Sequence, residues 1–98
     1  MPAGPAWVHP EAIAEARAAR EWYESRSAEA AEAFVAELDM ALERIGEAPG
    51  TWPPYLAGTR RYLLRRFPFF VVFRDADDGA QIVAVAHARR QPGYWIGR

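Results

Sequence analysis

The sequence contains no cysteine. That excludes a disulfide framework, a thiol nucleophile and any thiolate metal site. Lysine is absent too: all twelve basic residues are arginine. Histidine occurs only at His9 and His87, too few for an imidazole-based metal centre. No metal and no cofactor are therefore expected. No stretch approaches the roughly 18 uninterrupted apolar residues of a membrane helix. The opening MPAGPAWVHP lacks the basic and apolar regions of a secretory leader. A cytoplasmic protein with no membrane partner is expected by elimination. A glycine-rich phosphate loop, HExxH and GxSxG are all missing.

What is present suits one domain over residues 1–98 with a modest core: 51% of the residues are hydrophobic and 26% are charged. The net charge of −1 hides an asymmetry. Residues 1–50 carry ten acidic and four basic side chains, a net of −6, and residues 51–98 carry three and eight, a net of +5. An acidic half followed by a basic half suits one surface meeting an anionic partner. It equally suits acids on exposed helix faces and arginines on strands.

The patterning predicts an α+β order. Residues 6–8, Ala-Trp-Val, form a short apolar run that suits an edge strand. Pro10 and Glu11 fit the first turn of a helix running to Ser25. Ala12, Ala16, Ala19 and Tyr23 share its face, with Ile13 beside them. Ser27 is a natural N-cap for a second helix over 28–45. There Ala31, Phe34, Leu38, Ala41 and Ile45 recur in alternating steps of three and four, widened by Val35 and Leu42. Gly46 fits the left-handed residue after that helix, and Pro49 stops it. The short link between the helices makes them an antiparallel hairpin.

After an ordered loop with Trp52 and Tyr55, the period changes to two. Strands are predicted over 60–66, 67–74 and 81–88, with Asp75 to Gly79 as a hairpin connection. Phe67, Phe69, Val71 and Phe73 face one way, and Phe70 and Val72 the other. The helices can cover only one of these faces. The segment from Arg89 to Arg98, or a partner, must cover the second. A helical hairpin packed on a small antiparallel β-sheet, in the order β-α-α-β-β-β, is the expected architecture.

Three segments in register with these elements carry a family resemblance. They are Ala41-Leu42-Glu43-Arg44-Ile45 with Pro49, then Arg60-Arg61 with Leu64-Arg65-Arg66-Phe67-Pro68-Phe69. The third is Val83 to Arg90 with Pro92 and Trp95. Over nearly the whole chain, residues 6–95, the sequence resembles the RelE/ParE superfamily of toxins from type II toxin–antitoxin systems. The resemblance implies a cognate antitoxin protein as partner, with DNA reached only through that antitoxin. It implies one of two activities: ParE-like inhibition of a target such as DNA gyrase by binding, or RelE-like cleavage of mRNA on the ribosome. An inactive relative kept as a corepressor within its operon is a third possibility.

Cleavage by 2′-hydroxyl attack needs a base, an acid and cations around the phosphorane. For a nuclease the candidates are His87, Arg65 and Tyr94. His87 has the right pKa range for acid–base work, yet a lone histidine at a strand end is as often structural. Tyr94 suits a general acid or a stacking platform. The resemblance departs from RelE-like nucleases at Phe70, where those enzymes place an arginine, and in the missing lysine cluster. Phe70 therefore favours the ParE branch. The target-contact candidates are Arg60, Arg61, Arg65, Arg89, Arg90, Tyr94 and Trp95. Arginines on an edge strand also guard against sheet-to-sheet association.

Overall fold

The structure, a computed structural model, describes residues 7–98. The expectations for Ala6 and for the opening stretch before it lie outside those residues. Strand β1 is Trp7–Val8, helix α1 Pro10–Glu24 and helix α2 Ala28–Glu47. Strands β2, β3 and β4 are Arg60–Leu63, Phe69–Ala76 and Gly79–His87. The strand order is β1-β4-β3-β2.

Local chemistry explains the helix starts. Pro10 occupies the first turn of α1, where a missing N–H is harmless, and His9 Nδ1 accepts the Glu11 N–H at 3.0 Å. Ser27 Oγ accepts the Ala30 N–H at 3.2 Å and caps α2. The expected end of α2 needs correction. Gly46 does not terminate the helix, which runs on to Glu47; the Ala48 N–H still donates to the Arg44 carbonyl at 3.3 Å. Pro49, which lacks an N–H, is the stop.

Three corrections apply to the sheet. It is mixed rather than wholly antiparallel, because β1 pairs in parallel with Gln81 and Ile82 of β4. The strand expected over 60–66 ends at Leu63, since Glu37 of α2 accepts the Arg65 and Arg66 amides and pulls that stretch out of the ladder. The β3–β4 connection is tighter than Asp75 to Gly79: Asp75 pairs with Ala80 and Ala76 with Gly79, leaving Asp77 and Asp78 as the turn. Gly79 follows at φ +122°, a conformation that glycine adopts without strain.

The expected two-faced sheet is present. Against the helices lie Val71, Phe73, Ile82 and Val85, packed on Ala12, Ala19, Phe34, Leu38, Ala41 and Ile45. Tyr23, Phe34, Phe67 and Phe69 close one end of this core with ring centroids 4.9–6.3 Å apart. The opposite face buries Phe70, Val72, Val83, Ala84 and Ala86 beneath Trp95, with Tyr55 and Tyr94 at its margin. The segment after β4 thus supplies the second cover. A β-bulge opposite the Val72–Phe73 step puts one extra β4 residue, Val83, into the ladder. That is why neighbouring Val83 and Ala84 both join the second core.

Candidate functional site

Among the described residues, strand β1 pairs with only Gln81 and Ile82, and no strand lies beside the outer edge of β4 beyond them. Side chains take its place. Glu15, on α1, accepts the Val85 N–H on Oε1 at 3.0 Å. Arg98 donates to the Val83 carbonyl at 3.3 Å. The two side chains are joined by bonds of 2.9 Å to Glu15 Oε1 and 3.1 Å to Oε2. The Tyr94 hydroxyl donates to Glu15 Oε2 at 2.5 Å, and an Arg90 nitrogen lies 3.5 Å from the same oxygen. One carboxylate, its side chain only 13% exposed, thus gathers a strand amide, a phenol and two guanidinium groups. Shielding from water strengthens the bonds to the Val85 amide, Tyr94 and Arg98, whereas the Arg90 side chain is 55% exposed and its contact adds little.

Tyr94 reports that environment. Burial, then the hydrogen bond and charge of Glu15, push its hydroxyl well above the ordinary value of 10.0, against smaller opposing effects from Arg90 and Arg98. The folded protein therefore favours the neutral phenol. The stability this contributes is full below about pH 10 and is lost as pH rises through the folded value. Thermal melts at stepped alkaline pH should show stability falling above about pH 10. Tyr94→Phe should start about 1 kcal/mol less stable, and its curve should converge on the parent's as pH rises.

Beside this hub, α1 and β4 bound a cleft of about 450 Å³. Ala18, Trp22, Tyr23, Phe69, His87, Arg90 and Tyr94 line it. Trp22 is 53% exposed at its rim. The His87 ring stands edge-on to Phe69 at 5.0 Å, and its Nδ1 accepts the Arg89 N–H at 3.0 Å, which leaves Nε2 without a partner among the described residues. The Arg90 guanidinium lies 3.9 Å from the Tyr94 ring centroid, a cation–π contact. The cleft can hold an apolar or aromatic group with a cation at its rim. Among the described residues no group of three or more His, Asp and Glu is placed to hold a metal ion.

Of the residues singled out in the sequence, His87, Arg90 and Tyr94 converge on this cleft. Arg65 does not: it lines a separate groove with Glu37, Met40 and Arg66. Arg60 is tied down, donating to the Trp52 carbonyl at 2.6 Å and to Asp75 at 3.3 Å. Arg61 lies over the Tyr55 and Phe70 rings at 4.3 and 5.2 Å, on the second face of the sheet. Arg89 is exposed. Trp95, expected on a contact surface, is 1% exposed and fills the second core.

The model of the family described as ParE toxin of type II toxin–antitoxin system, parDE, matches residues 8–92. The chain belongs to the ParE toxin family. Toxin ParE2 of Mycobacterium tuberculosis, in two strains, is 33% identical over 55 residues, which are 56% of this chain. The chain spans about half the length (52%) of these curated relatives. A solved structure titled chromosomal ParDE TA system from P. aeruginosa superposes with a TM-score of 0.66 at 22% identity. It covers 85% of this chain and 94% of that one, and establishes likeness of fold. No helix among the described residues is long and apolar enough to cross a membrane.

Within this ParE-family chain, Glu15 and Arg98 are the site residues that the sequence reading missed. Glu15 is one of thirteen acidic residues, and its position between Ala12 and Ala19 on α1 looks like an ordinary helix flank. The only local hint is that it sits beside the alanine stripe, close enough for α1 to bring a carboxylate down to a strand edge. Its partners lie 70 to 83 residues away in sequence, beyond any local pattern.

Proposed function

We propose that this chain is the toxin component of a type II toxin–antitoxin pair and inhibits an intracellular target, DNA gyrase, by binding rather than by cleavage. A cognate antitoxin protein neutralises it, and DNA is reached only through that antitoxin. The observation that carries the reading is the separation of the cleavage candidates. His87 and Tyr94 line the α1–β4 cleft, whereas Arg65 lines another groove. The Tyr94 hydroxyl is committed to Glu15 and is a weak acid there. Position 70, where RelE-like nucleases of the superfamily place an arginine, is here a phenylalanine buried in the second core. Exposed Arg65 and Arg89 remain available to an acidic surface.

The test is induction of the protein alone in bacteria, with thymidine and methionine incorporation followed together over the first minutes. Thymidine uptake should fall first. Earlier loss of methionine uptake would overturn the binding reading in favour of a ribosome-dependent mRNA endonuclease. The specific observation behind that second reading is that His87, Tyr94 and Arg90 share one cleft. Tyr94→Phe would then abolish the effect, since it removes a proton donor and keeps the shape. Unimpaired growth would point instead to the corepressor role.

A further inference from the structure

Residues 89–98 hold their own main chain together. Arg90, Tyr94, Ile96 and Arg98 donate their N–H groups to the carbonyls of His87, Gln91, Gly93 and Trp95 at 2.9–3.3 Å. The Arg89 N–H goes to the His87 ring. Among the described residues, none of these main-chain amides joins the sheet ladder. Side chains make the attachment. Trp95 fills the second core, held there by packing, and its buried Nε1 has no hydrogen-bond partner among the described residues. Tyr94, Arg98 and Arg90 all converge on Glu15. Arg74 donates to the Arg98 carbonyl at 3.3 Å. Nothing in this set is a shared backbone ladder, so the segment can lift without unzipping β3 from β4.

We infer that residues 89–98 form a strap that opens as one unit, with Glu15 as its lock, and uncovers the second apolar face of the sheet. The lock is cooperative because two strap side chains, Tyr94 and Arg98, depend on one carboxylate on a different element, α1, with Arg90 at its exposed edge. Removing any one weakens the positioning of the others. Once lifted, the strap takes Trp95 out of the core that it shares with Val72, Val83, Ala84 and Ala86, while Phe70 keeps Tyr55 and Arg61 against it. Proteins open in cooperative units below the free energy of global unfolding, and a segment held by side chains and not by ladder bonds can form such a unit. This inference is independent of the gyrase reading.

The absence of cysteine makes the test clean. Ala86 and Ala84 lie beneath the strap at 1% and 0% exposure, and Ala41 lies in the helix-side core at 0%. Single Ala86→Cys and Ala41→Cys variants are reacted with an aromatic disulfide reagent under native conditions. The thiol at position 86 should react faster, with a weaker denaturant dependence. Adding Arg98→Ala should speed it roughly ten- to a hundredfold, as expected for losing charge-assisted hydrogen bonds, and should change position 41 much less. Equal rates with equal denaturant dependence at the two positions, or equal acceleration by Arg98→Ala, would overturn the strap. Should Ala86→Cys fold poorly, Ala84→Cys reads the same face. Hydrogen exchange in the unaltered protein is a second measure. The Tyr94, Ile96 and Arg98 amides should exchange together and ahead of the α2 amides; exchange only in step with α2 refutes an independent opening.

Discussion

Replacing Glu15 with alanine should lower the stability of the protein by about 3 kcal/mol, at the lower end of what is lost when one partner of a buried ion pair is removed. The Glu15 and Arg98 side chains are only 13% and 15% exposed, so the surviving guanidinium is largely cut off from water. The Val85 N–H loses its acceptor, and so does the Tyr94 hydroxyl. Partial rewetting of the β4 edge is the reason for taking the lower figure. For a chain of this length the loss corresponds to a fall of roughly 12–24 °C in Tm. Glu15→Gln keeps an acceptor for Val85 but no charge, and should cost about half as much. Urea titrations check both variants: the midpoint should shift while the slope holds. A Glu15→Ala midpoint within error of the parent would mean that the hub adds nothing net to the fold.

Phe34→Ala should do still more damage, about 4 kcal/mol. Phe34 is fully buried, and its ring centroid lies 5.3–5.4 Å from those of Tyr23, Phe67 and Phe69. Truncation removes the transfer free energy of the ring and leaves a hole walled by three aromatics that cannot all collapse into it. Domains of this size are stable by only some 5–15 kcal/mol, so the variant should be marginal at 37 °C. Phe34→Leu, which leaves a smaller hole, should cost about half as much as alanine. Circular dichroism melts of the two variants beside the parent decide the matter. A loss for leucine as large as that for alanine would show that filled volume cannot stand in for the ring at this end of the core.

The second core shows where local pattern stops. The parity of Phe70 and Val72 demanded cover on the far face of β3, and the aromatic segment around Tyr94 and Trp95 was one of two possible sources. Choosing between it and a partner requires knowing that the chain turns back after His87. The ladder ends were no more legible. Arg60 to Arg66 reads as one extended stretch, yet Glu37, nearly 30 residues upstream, claims the Arg65 and Arg66 amides and ends β2 at Leu63. The candidate site was half visible. His87, Arg90 and Tyr94 stood out by residue type, whereas Glu15 and Arg98 had no distinguishing neighbourhood and Arg65 proved to lie elsewhere.

Composition and periodicity alone determined the element order, the two helix starts, the helix-facing core and the two-sided character of β3. Those features depend on residues a few positions apart, which backbone sterics, capping bonds and apolar alternation read directly. Tertiary packing alone decided the parallel pairing of β1 with β4, the carboxylate hub that completes the open edge of β4, and the burial of Trp95. Each depends on groups brought together from distant parts of the chain. Their worth comes from exclusion of water, and water is excluded only once both helices and the sheet are in place.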